Sequence, residues 1–242
     1  MEANDTARLG MPLLQPAQAQ KHVTVNEALM RLDGMVNLVL QSIDLSVPPL
    51  ASVDGQCWGV AGEAQGAWAG HEGGIAVAAN GGWIFLPALA GMRSFILDRG
   101  VEAVHDGAGW VPGALTLGRQ GSGLVAGMAE GEFTVGQGKR ITAPVAIPAG
   151  VMVIGAVARV IEPLGGSLTG WQLGSGEAGA EDRFGKGLGI GRGSWARGLL
   201  GSPVTYYQTG KLIMTAENGA FEGGRVRLAV HWLELRLPGE GV

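Results

Sequence analysis

Three carboxylates, Glu177, Glu181 and Asp182, lie close enough in sequence to raise the question of a glycosidase. That chemistry needs two carboxyl groups on opposite sides of one cleft. As neighbours in a Gly/Ala-rich loop, these three are expected to stay solvated instead. His22, His71, His105 and His231 show no paired spacing, and the single cysteine, Cys57, forms no cluster with them, so no metal site is expected. Cys57, between Gln56 and Trp58, reads as a buried strand thiol. No serine stands in Gly-x-Ser-x-Gly. The glycine-rich run 185–193 matches neither phosphate-binding pattern and precedes no helix signal; it reads as a flexible loop or a glycine-rich strand. The chain is therefore expected to be no enzyme and to carry no cofactor.

Binding chemistry has better candidates. Trp171, Trp195, Tyr206 and Tyr207 offer stacking surfaces, and Asp182, Arg183 and Arg192 offer groups that hydrogen-bond hydroxyls or pair with acidic sugars. Alternation along a strand puts Tyr206 and Tyr207 on opposite faces, so at most one is expected in solvent. Trp195, between Ser194 and Ala196 in a Gly/Arg-rich stretch, is the aromatic most expected to be exposed.

The elements that must position these residues are mainly β. Forty-four glycines in 242 residues, with 46% hydrophobic and only 16% charged residues, exclude disorder and suggest many turns. The net charge of −4 argues against a nucleic-acid partner. One cysteine permits no internal disulfide, no apolar run is long enough to span a bilayer, and the polar first ten residues carry no secretory signal. Cytoplasmic synthesis is expected, with no membrane partner.

Residues 49–114 read as a small antiparallel β-domain. Asn80-Gly81 and Asp106-Gly107 mark two similar hairpins, each followed by a tryptophan. Small carbohydrate-binding modules use similar hairpins, but Trp58, Trp68, Trp83 and Trp110 are expected to form the core of a domain this small. His71-Glu72 is expected to fix a turn before the strand at Ile75. Residues 115–132, glycine-rich and of little periodicity, read as a linker with one short strand. Residues 133–242 read as a jelly-roll-like β-sandwich. Its closing strand alternates Val226, Leu228, Val230 and Trp232 with Arg225, Arg227, Ala229 and His231. The apolar parity then flips to Leu233, Leu235 and Leu237, which predicts a β-bulge near Trp232 or Leu233.

Residues 1–48 read as an extended, proline-punctuated arm and a helix. Thr24 and Glu27 form a capping box, and Leu29, Leu32, Val36, Val39 and Ile43 recur at helical spacing until Pro48-Pro49. That stripe either packs on the chain's own β-structure or forms an oligomerisation seam, and the polar arm suits docking on a neighbouring subunit.

The arm also carries a resemblance. Leu-Gly-Met-Pro-Leu-Leu-Gln-Pro-Ala-Gln-Ala-Gln-Lys-His-Val-Thr-Val-Asn-Glu-Ala-Leu, residues 9–29, closely resembles the opening of a domain family of formerly unknown function. That family occurs in tailed-phage-like particles, including head spikes and tail fibres of bacterial gene transfer agents. The resemblance continues through Asp33, Pro48-Pro49, Trp58 and Gly66-Ala-Trp-Ala-Gly-His-Glu-Gly73, is strong to about Trp110, and is looser beyond. Further on, Trp171-Gln-Leu-Gly, Asp182-Arg-Phe-Gly and Tyr206-Tyr207 resemble the receptor-binding tips of phage fibres. The resemblance implies a virion structural protein at the particle surface, attached to other particle proteins through its arm. It also implies attachment to host cell-surface or capsular polysaccharide through the C-terminal domain. A head spike would be a pentamer and a tail fibre a trimer. Two rivals are a connector that docks a separate adhesin and a polysaccharide-degrading enzyme using Glu181 or Asp182.

Overall fold

A computed structural model describes residues 5–14 and 21–239, which form two compact units, Met1–Ala114 and Leu115–Val242. Residues 15–20 of the arm, and the side chains of Lys21 and His22, lie outside that description.

In the first unit, the only α-helix among the described residues, α1, runs Lys21–Met35. Thr24 therefore sits inside the helix rather than capping it, and Glu27 pairs forward with Arg31 at 2.8 Å. The helix stops where Asn37 takes a left-handed conformation at φ 46°, a position asparagine tolerates after a last helical turn. Val39 then opens a two-residue strand, β1 (Val39–Leu40), whose second residue, Leu40, is buried, as is Leu38 before it. The expected seam is thus cut short. Leu29 and Leu32 are on α1, Val36 sits in the turn that ends it, and Val39 and Ile43 belong to the sheet side, where Ile43 packs on the core. Their helical spacing across the turn is coincidental.

The described part of the arm folds back on its own helix. Residues 5–12 make a tight loop closed by an Asp5–Pro12 bridge, and Thr6 inside it is only 3% exposed. The loop surrounds Asp33, itself 3% exposed. Its carboxylate accepts hydrogen bonds from Thr6 Oγ1 (2.8 Å), Leu9 N (2.7 Å) and Arg8 N (3.0 Å). The Arg8 guanidinium meanwhile donates to the carbonyls of Asp33 (2.6 Å), Gly34 (3.0 Å) and Asn37 (2.7 Å), groups that a helix end leaves without partners. Farther along, Leu14 and Asn26 exchange two hydrogen bonds. Gly34 brings the helix down onto the sheet: a Cβ there would meet Val77 Cγ2 at 2.9 Å.

The sheet beneath has the order β4-β3-β2-β1-β5-β6-β7. Its strands are β2 (Cys57–Gly59), β3 (Ile75–Ala79), β4 (Gly82–Leu86), β5 (Arg93–Ile96), β6 (Val101–His105) and β7 (Trp110–Pro112). Antiparallel hairpins make both sides as expected, but β1 joins them by parallel pairing to β2 and β5. Asn80 (φ 53°) and Gly81 (φ 71°) form the expected two-residue turn. The second hairpin differs, because Asp106 Oδ1 caps a four-residue loop by accepting from Ala108 N and Gly109 N, both at 2.8 Å. Trp58 and Trp68 are buried and pack with Trp83 at centroid distances of 5.1–6.2 Å. Glu72 accepts from Gly70 N in the turn before β3, and backbone hydrogen bonds hold its carboxyl below the ordinary range. Cys57 is buried, which pushes its thiol up to about 11.

The second unit is a sandwich. One sheet runs β10-β15-β12-β13 and the other β14-β11-β16-β9-β8. The strands are β8 (Ala114–Leu117), β9 (Gly123–Thr134), β10 (Arg140–Ile147), β11 (Val151–Gly166), β12 (Gly170–Ser175), β13 (Gly185–Leu188), β14 (Trp195–Tyr206), β15 (Gly210–Glu217) and β16 (Phe221–Arg236). Val153, Val160, Leu228 and Val230 from one sheet and Ile147, Trp171, Leu173 and Leu212 from the other share one core.

The stretch expected as a linker is instead β8 and most of β9. β9 pairs with β16 without a break from Thr134 opposite Arg225 to Gly123 opposite Arg236, so a sandwich begun at residue 133 would strip that edge. Gly127 is required within it, because a Cβ there would meet the Trp232 ring at 2.5 Å. The expected bulge lies on the facing strand: β11 shifts register between Val153 and Gly155, opposite Trp232 and His231. Leu235 and Leu237 do not return to the core and are 76% and 82% exposed.

Asp33→Ala leaves three donors of the arm without their acceptor and should lower the first unit's unfolding free energy by about 3 kcal/mol, read by urea denaturation. Thr6→Ala should cost about 1 kcal/mol. His105 is buried against the edge of Trp110, its Nδ1 accepts from Gly107 N at 3.2 Å, and burial lowers its pKa against the opposing pull of Asp106. Below about pH 6.5 the unfolded chain takes up a proton that the folded chain refuses. Stability should therefore fall as pH drops from about 6.5 towards 5, and His105→Gln should flatten that slope.

Candidate functional site

Alternation through residues 157–160 of β11 and the strands beside them builds an outward face whose composition is unlike a plain solvated surface. Ala196, Ala158 and Leu228 point into the core, so their neighbours point out. Trp195 on β14 stands opposite Arg159 on β11, Arg159 opposite Arg227 on β16, and Arg227 opposite Glu132 on β9. Two residues along, the next row is Arg197, Val157, Ala229 and Glu130. The small side chains of Val157 and Ala229 form a floor, and the long ones of the two rows rise around it. The result is an open groove of about 510 Å³.

Trp195 is 61% exposed, with the Arg197 guanidinium 5.8 Å from its ring centroid. A cation at that distance holds an indole in place while leaving apolar ring surface free. Arg225 and Arg227 are both occupied by Glu132, and Arg225 also by Glu162 at 2.8 Å. Among the described residues, Arg159 and Arg197 make no ion pair. Such a face can stack on a sugar ring and supply forked donors to an acceptor beside it.

The seven residues singled out from sequence do not meet in one place. Trp171 is fully buried and donates from Nε1 to the Gly189 carbonyl at 3.0 Å, so it belongs to the core. Tyr206 is also core, its hydroxyl accepting from Arg183 at 3.3 Å, while Tyr207 is 86% exposed, as alternation required. Arg183 is pinned by Glu177 at 2.9 Å, and Asp182 faces Lys186 at 3.7 Å. Arg192 is exposed in the turn that leads into β14, near Trp195 in sequence. Trp195 opens β14 opposite Arg159 and Tyr207 follows its last residue, Tyr206, which stands opposite Val151, so the two lie on the order of 25 Å apart. Tyr207 borders a separate open depression of about 670 Å³ with Glu177 and Lys211.

The residues that sequence reasoning missed are Arg159, Arg197, Arg227, Glu130 and Glu132. Their signal was present as parity: Arg197 lies two residues after Trp195. Likewise, Met128, Glu130 and Glu132 alternate with Ala129, Gly131 and Phe133. Among the described residues no group of three or more His, Cys, Asp or Glu converges on a point. No helix in them is long and apolar enough to cross a membrane.

No curated protein matches the chain. Among solved structures, a chain of "Cyanophage Pam1 capsid asymmetric unit" is 21% identical, with a TM-score of 0.33 over 47% of this chain and 85% of that one. A chain of "Acidic stable capsid structure of Helicobacter pylori bacteriophage KHP30" is 16% identical, with a TM-score of 0.32 over 49% and 94%. Scores this low add nothing to the reading of the groove. Residues 25–111, covering most of α1 and the first unit's sheet, match the family described as "Protein of unknown function (DUF2793)".

Proposed function

We propose that this chain is a structural subunit of a phage-like particle of the gene-transfer-agent kind, a head spike or tail fibre, that attaches the particle to host capsular or other cell-surface polysaccharide. The first unit anchors it to other particle proteins and to further copies of itself, a pentamer for a head spike and a trimer for a tail fibre. The second unit is the adhesive part. The particle assignment is supported by the arm signature and its resemblance.

The observation that carries the adhesive role is Trp195. A sandwich whose other tryptophans are buried or half-buried leaves this one indole 61% exposed beside two arginines that make no ion pair among the described residues. An isolated groove this open binds one chain weakly, and several copies on one spike gain avidity without new contacts. Self-association is supported by α1, where Val25 and Leu32 are exposed apolar residues seven apart, with exposed Val36 in the turn that follows. The role is non-enzymatic: Glu177, Glu181 and Asp182 each face a cation, Arg183, Arg140 and Lys186, rather than one another across a cleft.

A connector that docks a separate adhesin is the second reading. It is favoured by the β1–β2 loop, where Leu45, Val47, Leu50 and Val53 are all exposed. Co-sedimentation with encapsulated and capsule-less cells separates the two. The full-length oligomer should pellet only with encapsulated cells, and Trp195→Ala should lose most of that binding with its unfolding midpoint unchanged. A wild-type oligomer that pellets with neither cell type rejects the adhesive role in favour of the connector.

A further inference from the structure

We infer that the groove bounded by Trp195, Arg159 and Arg197 takes a carboxylate-bearing polysaccharide, the indole stacking on one sugar ring while the two arginines pair with carboxylates. This rests on the adhesive role proposed above and specifies the ligand class of that same face.

The argument starts from which charges on the face are already satisfied. Arg227 and Arg225 converge on Glu132, so their charge is compensated within the protein. Arg159 and Arg197, by contrast, stand on the Trp195 side of the groove, and neither has a carboxylate within ion-pair distance among the described residues. Arg159 is the cross-strand neighbour of Trp195, which puts their Cβ atoms roughly 5 Å apart. Arg197 lies two residues along the same strand, roughly 7 Å away. Both guanidinium groups thus reach a substituent on a ring stacked at Trp195. A guanidinium offers a planar fork of donors that matches a carboxylate bidentately, and a neutral hydroxyl uses only part of it.

The far wall gives the face a direction. Glu130 stands across the floor of Val157 and Ala229 from Arg197 and makes no ion pair among the described residues. It accepts hydrogen bonds from hydroxyls and repels a carboxylate. An acidic sugar chain therefore lies with its carboxylates towards β14 and β11 and its hydroxyl edge towards β9.

The test uses full-length protein on immobilised polygalacturonate, alginate and hyaluronate, with fully methyl-esterified polygalacturonate as the neutral control of identical backbone. Binding to at least one acidic polymer is expected, weakened about tenfold or more by the Arg159→Gln/Arg197→Gln double variant and by added salt. Trp195→Ala should weaken it similarly, and Arg225→Gln, which alters an already compensated charge, should leave it unchanged. If polygalacturonate is bound, its methyl ester should be bound about tenfold more weakly. Equal binding to the ester overturns the inference and leaves the adhesive role standing. So does cell binding that survives the double arginine variant, or that occurs with no binding to any acidic polymer. Oligothymidylate bound as tightly as the best polysaccharide replaces the glycan with single-stranded nucleic acid and also overturns it. Failure to bind cells and polymers alike removes both the inference and the adhesive role.

Discussion

Alternation along β11 and its two neighbours is the constraint on which the second unit depends. The same strands that send Ala158, Val160, Leu228 and Val230 into the core send Arg159 and Arg227 out, and β14 adds Trp195 and Arg197 to that outward set. A slip of one residue would place arginines in the core and valines in water, so register here is held by a large penalty. The unbroken pairing of β16 with β9 and the seating of Trp232 on Gly127 fix it further. The outward face around Trp195 is thus a by-product of the packing, set on strands rather than on a loop, and its geometry is as firm as the core behind it.

The first unit turns on a different interaction. Asp33 is a buried carboxylate whose partners come from residues 6–9. Burying such a group is costly unless hydrogen bonds compensate it, and here the arm supplies them. The proline-punctuated loop is thereby ordered by one side chain of α1, while Arg8 closes the helix end from the other side. With the described part of the arm folded onto its own helix, the surfaces left for partners are the exposed apolar residues of α1 and the apolar β1–β2 loop.

Much of this was legible in the sequence. The mainly β character, the Asn80-Gly81 hairpin, the turn at Glu72, the buried Cys57 and the opposite fates of Tyr206 and Tyr207 all follow from local rules of turn chemistry and parity. The errors have physical causes as well. Val36, Val39 and Ile43 kept helical spacing across a turn that Asn37 imposes, and spacing alone does not register a left-handed residue. Residues 115–132 looked like a linker because glycines hid a strand; one of them, Gly127, is there to admit Trp232. Among the site candidates, Trp195 and Tyr207 reach solvent, but Trp171 went to the core because its indole N–H finds the Gly189 carbonyl. The arginines beside Trp195 escaped notice because they come from strands far apart in sequence, and only the register brings them together.

The most direct test of the central claim, that the outer face of the five-stranded sheet is the polysaccharide contact, is hydroxyl-radical footprinting of the full-length protein with and without capsular polysaccharide. Trp195, the first residue of β14, and Tyr207, just past its last, are both exposed aromatics, so each serves as the other's control. Polysaccharide should suppress oxidation of Trp195 and leave that of Tyr207 unchanged. Suppression at Tyr207 with Trp195 still reactive would move the contact to the other end of the strand and contradict the account.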